Sequence, residues 1–325
     1  MNRTIAITGA TGFAGRHTLT ALLAEGYRVK ALVRDPQRAA MPAGVEVIAG
    51  DLHTDDALSR LLEGADAIVH LAGLLAGLRV HDYFRVNAQA TVALAEAALR
   101  MGVARFVHVS SLAAREPHLS PYGASKRAGE DAIASLKDRL NAIIIRPPAV
   151  YGPGDRGTLP LIRELTRPVA VIPGRSDARF SLIHVRDLAR LVTLSAVSQL
   201  RGLHEVSDGR AGGYAWMDLI AAGQTLRGGR IRPVFLPKAV PAAVALAAEG
   251  LSRFTGKPGM VNRGKVRELY HPDWVSHEGS LRLSDPIRFD DGLAETIAWY
   301  RAAGWLPQSS RADRTGPTEQ GPGRT

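Results

Sequence analysis

Cysteine is absent from the 325 residues. That excludes a disulfide framework, zinc knuckles, thiolate-held clusters and cysteine nucleophiles, and it leaves the redox compartment unmarked. Long apolar runs are missing too. The best, Ala239 to Ala248, is alanine-rich and interrupted by Pro241, well short of the roughly 18–20 residues that span a bilayer. The opening apolar stretch, Ile5 to Ile7, runs straight into a glycine turn, so no secretory leader and no membrane span are expected, and a cytoplasmic protein is the default. Aromatics make up only 6%. With 46% hydrophobic and 22% charged residues, the chain has what an ordinary globular core requires. Its length suits about two domains, or one large α/β unit with an appendage.

Acidic residues are the minority charge. Lysine plus arginine number 41 against 31 aspartate plus glutamate, a net charge of +10. Such an excess favours anionic ligands. The arginines are scattered, however, and no reader motif interleaves them with aromatics, so nucleic-acid binding is not expected. A phosphate-bearing ligand accounts for the charge more simply.

The first half alternates strand and helix. β-branched apolar runs fall at 4–8, 28–33, 45–48, 67–70, 105–109 and 142–145, with helix-period stretches at 13–25, 55–62, 84–101 and 122–140. Strand, helix, strand, repeated, predicts a doubly wound parallel sheet covered on both faces, and Gly26, Gly64 and Gly102 stand where helices should stop. After Arg146 the pattern loosens into a Pro/Gly-rich loop from Pro147 to Gly157, of the sort that lines a site. Helical stretches follow at 185–198, 216–226, 239–254 and 293–302. The expected organisation is an α/β Rossmann domain over 1–150, a smaller and mostly helical substrate lobe over 151–306 from which a helix or strand may return to the sheet, and a disordered tail over 307–325.

The run Thr8-Gly-Ala-Thr-Gly-Phe-Ala-Gly15 sits between the first strand and the first helix. Gly9 permits the tight turn, Gly12 lets the backbone approach a pyrophosphate, and Gly15 lets helix and strand pack closely. Thr11 and Phe13 lie within the same turn. After the second strand come Val33-Arg34-Asp35. An NAD site usually places an acid there, whereas a guanidinium suits a 2′-phosphate. Arg34, with Arg38 close behind it, therefore points to NADP. Asp35 is the counter-evidence that keeps NAD open.

Tyr122 and Lys126 are four apart, on one face of a helix. An ammonium beside a phenol is expected to lower the phenol's pKa towards working pH and make it a general acid or base. Ser110 and Ser111, at a strand's C-terminal end, can hydrogen-bond a carbonyl oxygen as charge builds on it. Singly, these describe an exposed helix face and a strand end or cap. Behind the glycine turn they form a catalytic set.

Taken in order, the glycine turn, Asp51-Leu52, His70-Leu-Ala-Gly73, Asn87, Ser110-Ser111, Tyr122-Gly-Ala-Ser-Lys126 and Arg146-Pro147 resemble an extended short-chain dehydrogenase/reductase of the epimerase/dehydratase superfamily, over about residues 3–306. The resemblance implies that Ser111, Tyr122 and Lys126 are catalytic and that Lys126 also holds the nicotinamide ribose. It implies further that Asp51 and Leu52 lie near the adenine, that Leu71, Ala72 and Gly73 line the cofactor cleft, and that Asn87, Pro147 and Val150 belong to the cofactor site. Family members often pair through the helices at about 84–101 and 122–139, which makes a homodimer an expectation.

Two departures turn the resemblance away from the sugar-nucleotide members. Ala149 stands where many of them carry Asn, and Phe180 stands three residues before Ile183-His184-Val185, where they tend to carry Arg. The run through Tyr151-Gly-Pro-Gly-Asp155 looks more like the hydroxysteroid dehydrogenase and related reductase branch. Hydride transfer between NADP(H) and a small-molecule carbonyl or alcohol is the expected reaction. A nucleotide-sugar epimerase or dehydratase is one alternative. A non-catalytic NADP-binding protein, like the respiratory complex I accessory subunit, is the other, suggested by the short Ser111–Tyr122 interval. His184 has no partner at metal-ligand spacing, so a packed or hydrogen-bonded histidine is expected and no metal site is assigned. The mixed segment Lys265–Trp274 suits a pocket wall and an amphipathic helix end equally well.

Overall fold

The structure, a computed structural model, describes residues 3–277, 279 and 281–308. The expected tail lies, from residue 309 onward, outside the described residues.

The nucleotide half runs β1 (Thr4–Thr8), α1 (Phe13–Ala24), β2 (Arg28–Val33), β3 (Val45–Ala49), α2 (Asp55–Leu62), β4 (Ala67–His70), α3 (Val80–Phe84), α4 (Ala90–Arg100), β5 (Arg105–Val109), α5 (Pro121–Ser135) and β6 (Ala142–Arg146). Beyond it come β7 (Ala149–Tyr151), α6 (Leu159–Glu164), β8 (Val169–Ile172), β9 (Arg179–Phe180), β10 (Leu182–His184), α7 (Val185–Val197) and β11 (Gly202–Glu205). The chain continues with β12 (Tyr214–Ala215), α8 (Trp216–Arg227), β13 (Arg232–Phe235), α9 (Ala239–Thr255), α10 (Arg263–Leu269), β14 (Asp273–Trp274) and α11 (Phe289–Ala302).

Seven strands make one sheet in the order β11-β6-β5-β4-β1-β2-β3, all neighbours parallel. β1 and β4 are neighbours although two strands separate them in sequence, so the order reverses there and opens a crevice at the strands' C-terminal ends. Alternating side chains feed two cores. Ile5 and Ile7 pack with Leu19, Leu22, Leu188 and Leu191 of α1 and α7, while Ala6 and Ile68 meet Leu58, Leu94 and Phe106 across the other face. α7 and β11 thus join the first domain from beyond residue 150. The third core, around Tyr151, Trp216, Leu293 and Tyr300, belongs to the C-terminal lobe. That lobe combines α6, α8, α9, α10 and α11 with small sheets of two or three strands.

Three of the expected helices depart from the sequence reading, and α6 and α10 are additional to it. The single helix expected over 84–101 is α3, a π-helical turn at Arg85–Gln89 and then α4. Period analysis does not resolve one wide turn, and such turns occur often at functional sites. α5 stops at Ser135 rather than running to 140, and Leu140 folds inward to join the core beneath it. α11 begins four residues before the expected 293. Gly292 lies within the added turn, and a Cβ there would lie 2.6 Å from the Tyr151 hydroxyl, so it is a close-packing glycine.

Candidate functional site

The crevice is built first by backbone. Gly9 has φ of 76°, and a Cβ on it would come within 2.6 Å of the Ala72 nitrogen. A Cβ on Gly15 would meet the Gly9 carbonyl oxygen at 1.9 Å. Only glycine lets the turn, the start of α1 and the Leu71–Gly73 loop crowd together in this way. Gly12 caps α1 without a side-chain hydrogen bond, which leaves the helix's first amides free for an anion. Thr11 and Phe13 lie on the same turn.

Around this turn the strand ends bring in the other candidates. β2 ends at Val33, so Arg34 is the first residue beyond the sheet. Asp35 is engaged with the backbone and guanidinium of Arg38, at 3.4 Å each. Asp51 accepts from the His53 amide at 2.8 Å, and that bond, with Thr54 and Arg34 nearby, holds its carboxyl below the usual range; Leu52 beside it is buried. Asn87, on the π-helical turn, is spent structurally. Its amide oxygen accepts from Leu74 N at 2.7 Å and its nitrogen donates to Leu74 O and Ser125 Oγ at 3.0 and 2.9 Å. That clamps the segment following Gly73 to α5. Pro147 takes the Leu112 amide on its carbonyl at 2.8 Å, and Val150 lies on β7.

Above the crevice, Ser111 caps a short helical turn by accepting from Ala113 N at 3.2 Å, and its hydroxyl neighbours the Tyr122 phenol and favours that group's ionised form. Ser110 instead turns inward, its buried hydroxyl without a partner among the described residues. Ser111 is thus the serine that meets the tyrosine. Lys126 is 3% exposed and donates to Val109 O at 2.8 Å.

The electrostatics correct one expectation. Burial pushes the Tyr122 phenol up to about 12, against the Ser111 hydroxyl and with help from the Glu268 carboxylate. The Lys126 ammonium donates to the Val109 carbonyl and is itself pushed down to about 8 by burial, with Glu130 opposing. Beneath Lys126 the rings of His70 and His108 stack at 5.3 Å. Both are kept neutral by burial and by Lys126, His70 down to about 3.

Sequence reasoning missed the far wall. Glu268 on α10 is buried and accepts from the hydroxyl of Ser120, the cap of α5 two residues before Tyr122. Lys265 holds its other oxygen at 3.0 Å, Trp274 Nε1 donates to its carbonyl at 2.8 Å, and Arg267 grips Leu119 O at 2.7 Å. The one available signal was the charge-and-aromatic mixture of Lys265–Trp274, which a solvated helix end explains as well. A buried Arg146–Glu130 pair, bonded at 2.9 and 2.6 Å, supports α5 from below. His184 is a packed histidine. It is fully buried, caps α7 by accepting from Arg186 N at 3.3 Å, and lies edge-on to Tyr151. Phe180 packs on Trp216 at 4.9 Å, and Arg179 turns away to the Gly212 carbonyl at 3.0 Å.

Residues 5–204 match the model of the NAD dependent epimerase/dehydratase family. The chain belongs to that family. Among its relatives is the ceramide reductase of Caulobacter vibrioides (strain NA1000 / CB15N), 42% identical over 309 residues that make up 94% of this chain and 96% of the relative. The 3 beta-hydroxysteroid dehydrogenase/Delta 5-->4-isomerase of Mycobacterium tuberculosis (strain CDC 1551 / Oshkosh) is 29% identical over 246 residues, 65% of this chain and 63% of that one. The solved structure of MoeE5 in complex with UDP-glucose and NAD superposes with a TM-score of 0.70 at 26% identity, covering 93% of this chain and 99% of that one. The protein is accordingly an NAD(P)-dependent enzyme of the extended short-chain dehydrogenase/reductase type, with relatives in the reductase and hydroxysteroid branch. Among the described residues no helix is long and apolar enough to cross a membrane.

Proposed function

We propose that the protein is an NADP(H)-dependent ketoreductase whose substrate is a ketone of the ceramide-type lipid class. One observation carries the reaction type. A Ser111–Tyr122 hydroxyl pair stands beside a buried Lys126, above a glycine turn that no side chain fills. The residues present fit a dinucleotide: free amides at the start of α1, a guanidinium at Arg34 and an acid at Asp51. When bound, the cofactor supplies the hydride.

The chain's own residues handle the proton. With its phenol near 12, Tyr122 is protonated at neutral pH and can give its proton to a carbonyl oxygen. Ser111 holds the carbonyl oxygen as it gains charge, and Tyr122 Oη gives it the proton. Glu268 and Ser120 fix the start of α5 and so the position of Tyr122. Lys126, sealed from water, would hold the nicotinamide ribose when the cofactor is bound. Asn87 acts on the cleft through the loop it clamps. Arg34 supports NADP over NAD, since Asp35, the acid that kept NAD open, is engaged with Arg38.

The substrate class rests on the ceramide reductase relative, matched along nearly its whole length. Ala149 and Phe180 support it, because they are apolar where a sugar diphosphate would require polar contacts. The test is to incubate the enzyme with NADPH and a ceramide-type ketone, following absorbance and alcohol together. One NADPH is expected to be lost per alcohol formed. Conversion of a nucleotide sugar with no net NADPH consumed would establish the epimerase reading instead.

A further inference from the structure

One long helix of this protein is inside out. α9 spans 17 residues, yet Ala245 alone among them is buried. Val240, Val244, Leu251 and Phe254 are exposed, Phe254 by 91%. At about 100° per residue these four, with Ala247, fall within an arc of about 80°. Glu249 lies on the opposite side, where it is tied to α10 through Arg263 N and Nε at 2.7 and 2.9 Å. So α10 holds the inner face and the hydrocarbon stripe points away from the protein. Met260 and Val261, on the loop that follows, extend the exposed apolar surface. An apolar patch of this extent on a soluble chain marks an interaction surface.

Charge identifies the occupant. Residues 230–267 hold eight basic residues and one acidic one, net +7 of the chain's +10. Arg232, Lys238, Arg253 and Lys257 are all exposed. A second copy docked face to face would set +7 against +7. An anionic bilayer surface complements both features at once, taking the apolar side chains below its headgroups and the cations among them. A helix of this length is too short to span a membrane, so it lies on the surface. Pro241 falls in its first turn, where a missing amide hydrogen costs nothing.

We propose that α9 is a docking helix that seats this protein on an anionic lipid bilayer. Its position gives the docking a use, and that use rests on the lipid-substrate reading above. α9 is bound to α10 through Glu249, and α10 through Glu268 to Ser120 at the head of the Tyr122 helix. The bilayer surface therefore lies one helix away from the catalytic tyrosine.

The test uses the purified full chain, sedimented with vesicles of phosphatidylcholine alone or mixed with phosphatidylglycerol. Wild type is expected to pellet with the anionic vesicles and to be released by high salt. Combined Val244→Ser, Leu251→Ser and Phe254→Ser should weaken binding by about tenfold or more, and combined Lys238→Glu, Arg253→Glu and Lys257→Glu should abolish the preference for anionic lipid. Both sets change exposed residues, so melting temperature and NADPH oxidation with a water-soluble ketone should be retained. The proposal is overturned if wild type stays in the supernatant, if the serine variant pellets as wild type does, or if that variant converts a wild-type dimer to monomer. Vesicle binding without turnover of any lipid ketone would uphold the docking and overturn the substrate reading; turnover in detergent without vesicle binding would do the reverse.

Discussion

The nucleotide half of this chain buries charge, and the C-terminal lobe exposes hydrocarbon. Lys126 and Glu130 on the Tyr122 helix, and Arg146 paired with Glu130, are each under a tenth exposed, with neutral His70 and His108 fully enclosed. On α9 the reverse holds, with Phe254 almost wholly in water. Both arrangements oppose folding, the first through desolvation and the second through unused hydrophobic burial. The two costs sit at opposite ends of the proposed reaction, one where the proton moves and one where the substrate arrives. Fold stability is supplied elsewhere, by the three cores.

Breaking the nucleotide half should have the larger effects. Gly15→Ala places a methyl 1.9 Å from a backbone oxygen, which no rotamer relieves. Cofactor affinity should fall by more than about a hundredfold, as a close-packed backbone forced apart costs several kcal/mol. Calorimetric titration checks it, and unchanged affinity would mean the turn is not the cofactor site. Next in size, Arg34→Glu should weaken NADPH by about ten- to a hundredfold, the worth of a hydrogen bond to a charged group, while NADH binding is kept. Equal wild-type affinity for the two cofactors would end the NADP assignment.

Lys126→Met sharpens the comparison in the other direction. Buried Lys126 is pushed down to about 8, against roughly 10.4 in an unfolded chain. A depressed lysine costs stability in full below about pH 8, and the cost shrinks as pH rises from there and is gone above about 10.4. The methionine variant should therefore be inactive yet more stable at pH 7, by about 1–3 kcal/mol. The gain should vanish near pH 11. Denaturant melts at both values decide it, and a loss at pH 7 would mean that the Val109 contact outweighs the desolvation.

What the sequence disclosed follows the same division. β1, β2, β4 and β5 fall on the expected residues, because a parallel strand buried on both faces must be apolar along its whole length. Gly9, Gly15, Tyr122 and Lys126 were legible because turn and helix geometry fix their spacing locally. Glu268 was not, since its meeting with Ser120 spans 148 positions and nothing local marks it. The phenol's direction of shift was misread for a related reason. Helical spacing places Lys126 near Tyr122 but says nothing of the burial, or of Glu268, that push the phenol up. The exposed stripe of α9 was visible only as an apolar run, because α10's hold on Glu249 decides which face is turned out.

The central claim is that Tyr122 delivers the proton in a net reduction. The most direct test compares wild type and Tyr122→Phe in single turnover of a ceramide-type ketone with NADPH. Removing one hydroxyl takes away little volume, so folding and cofactor binding should survive. The account predicts one alcohol per NADPH in the wild type and a rate lower by about 10²–10⁴ in the variant, the usual contribution of a positioned acid. A variant that reduces the ketone at the wild-type rate would contradict it.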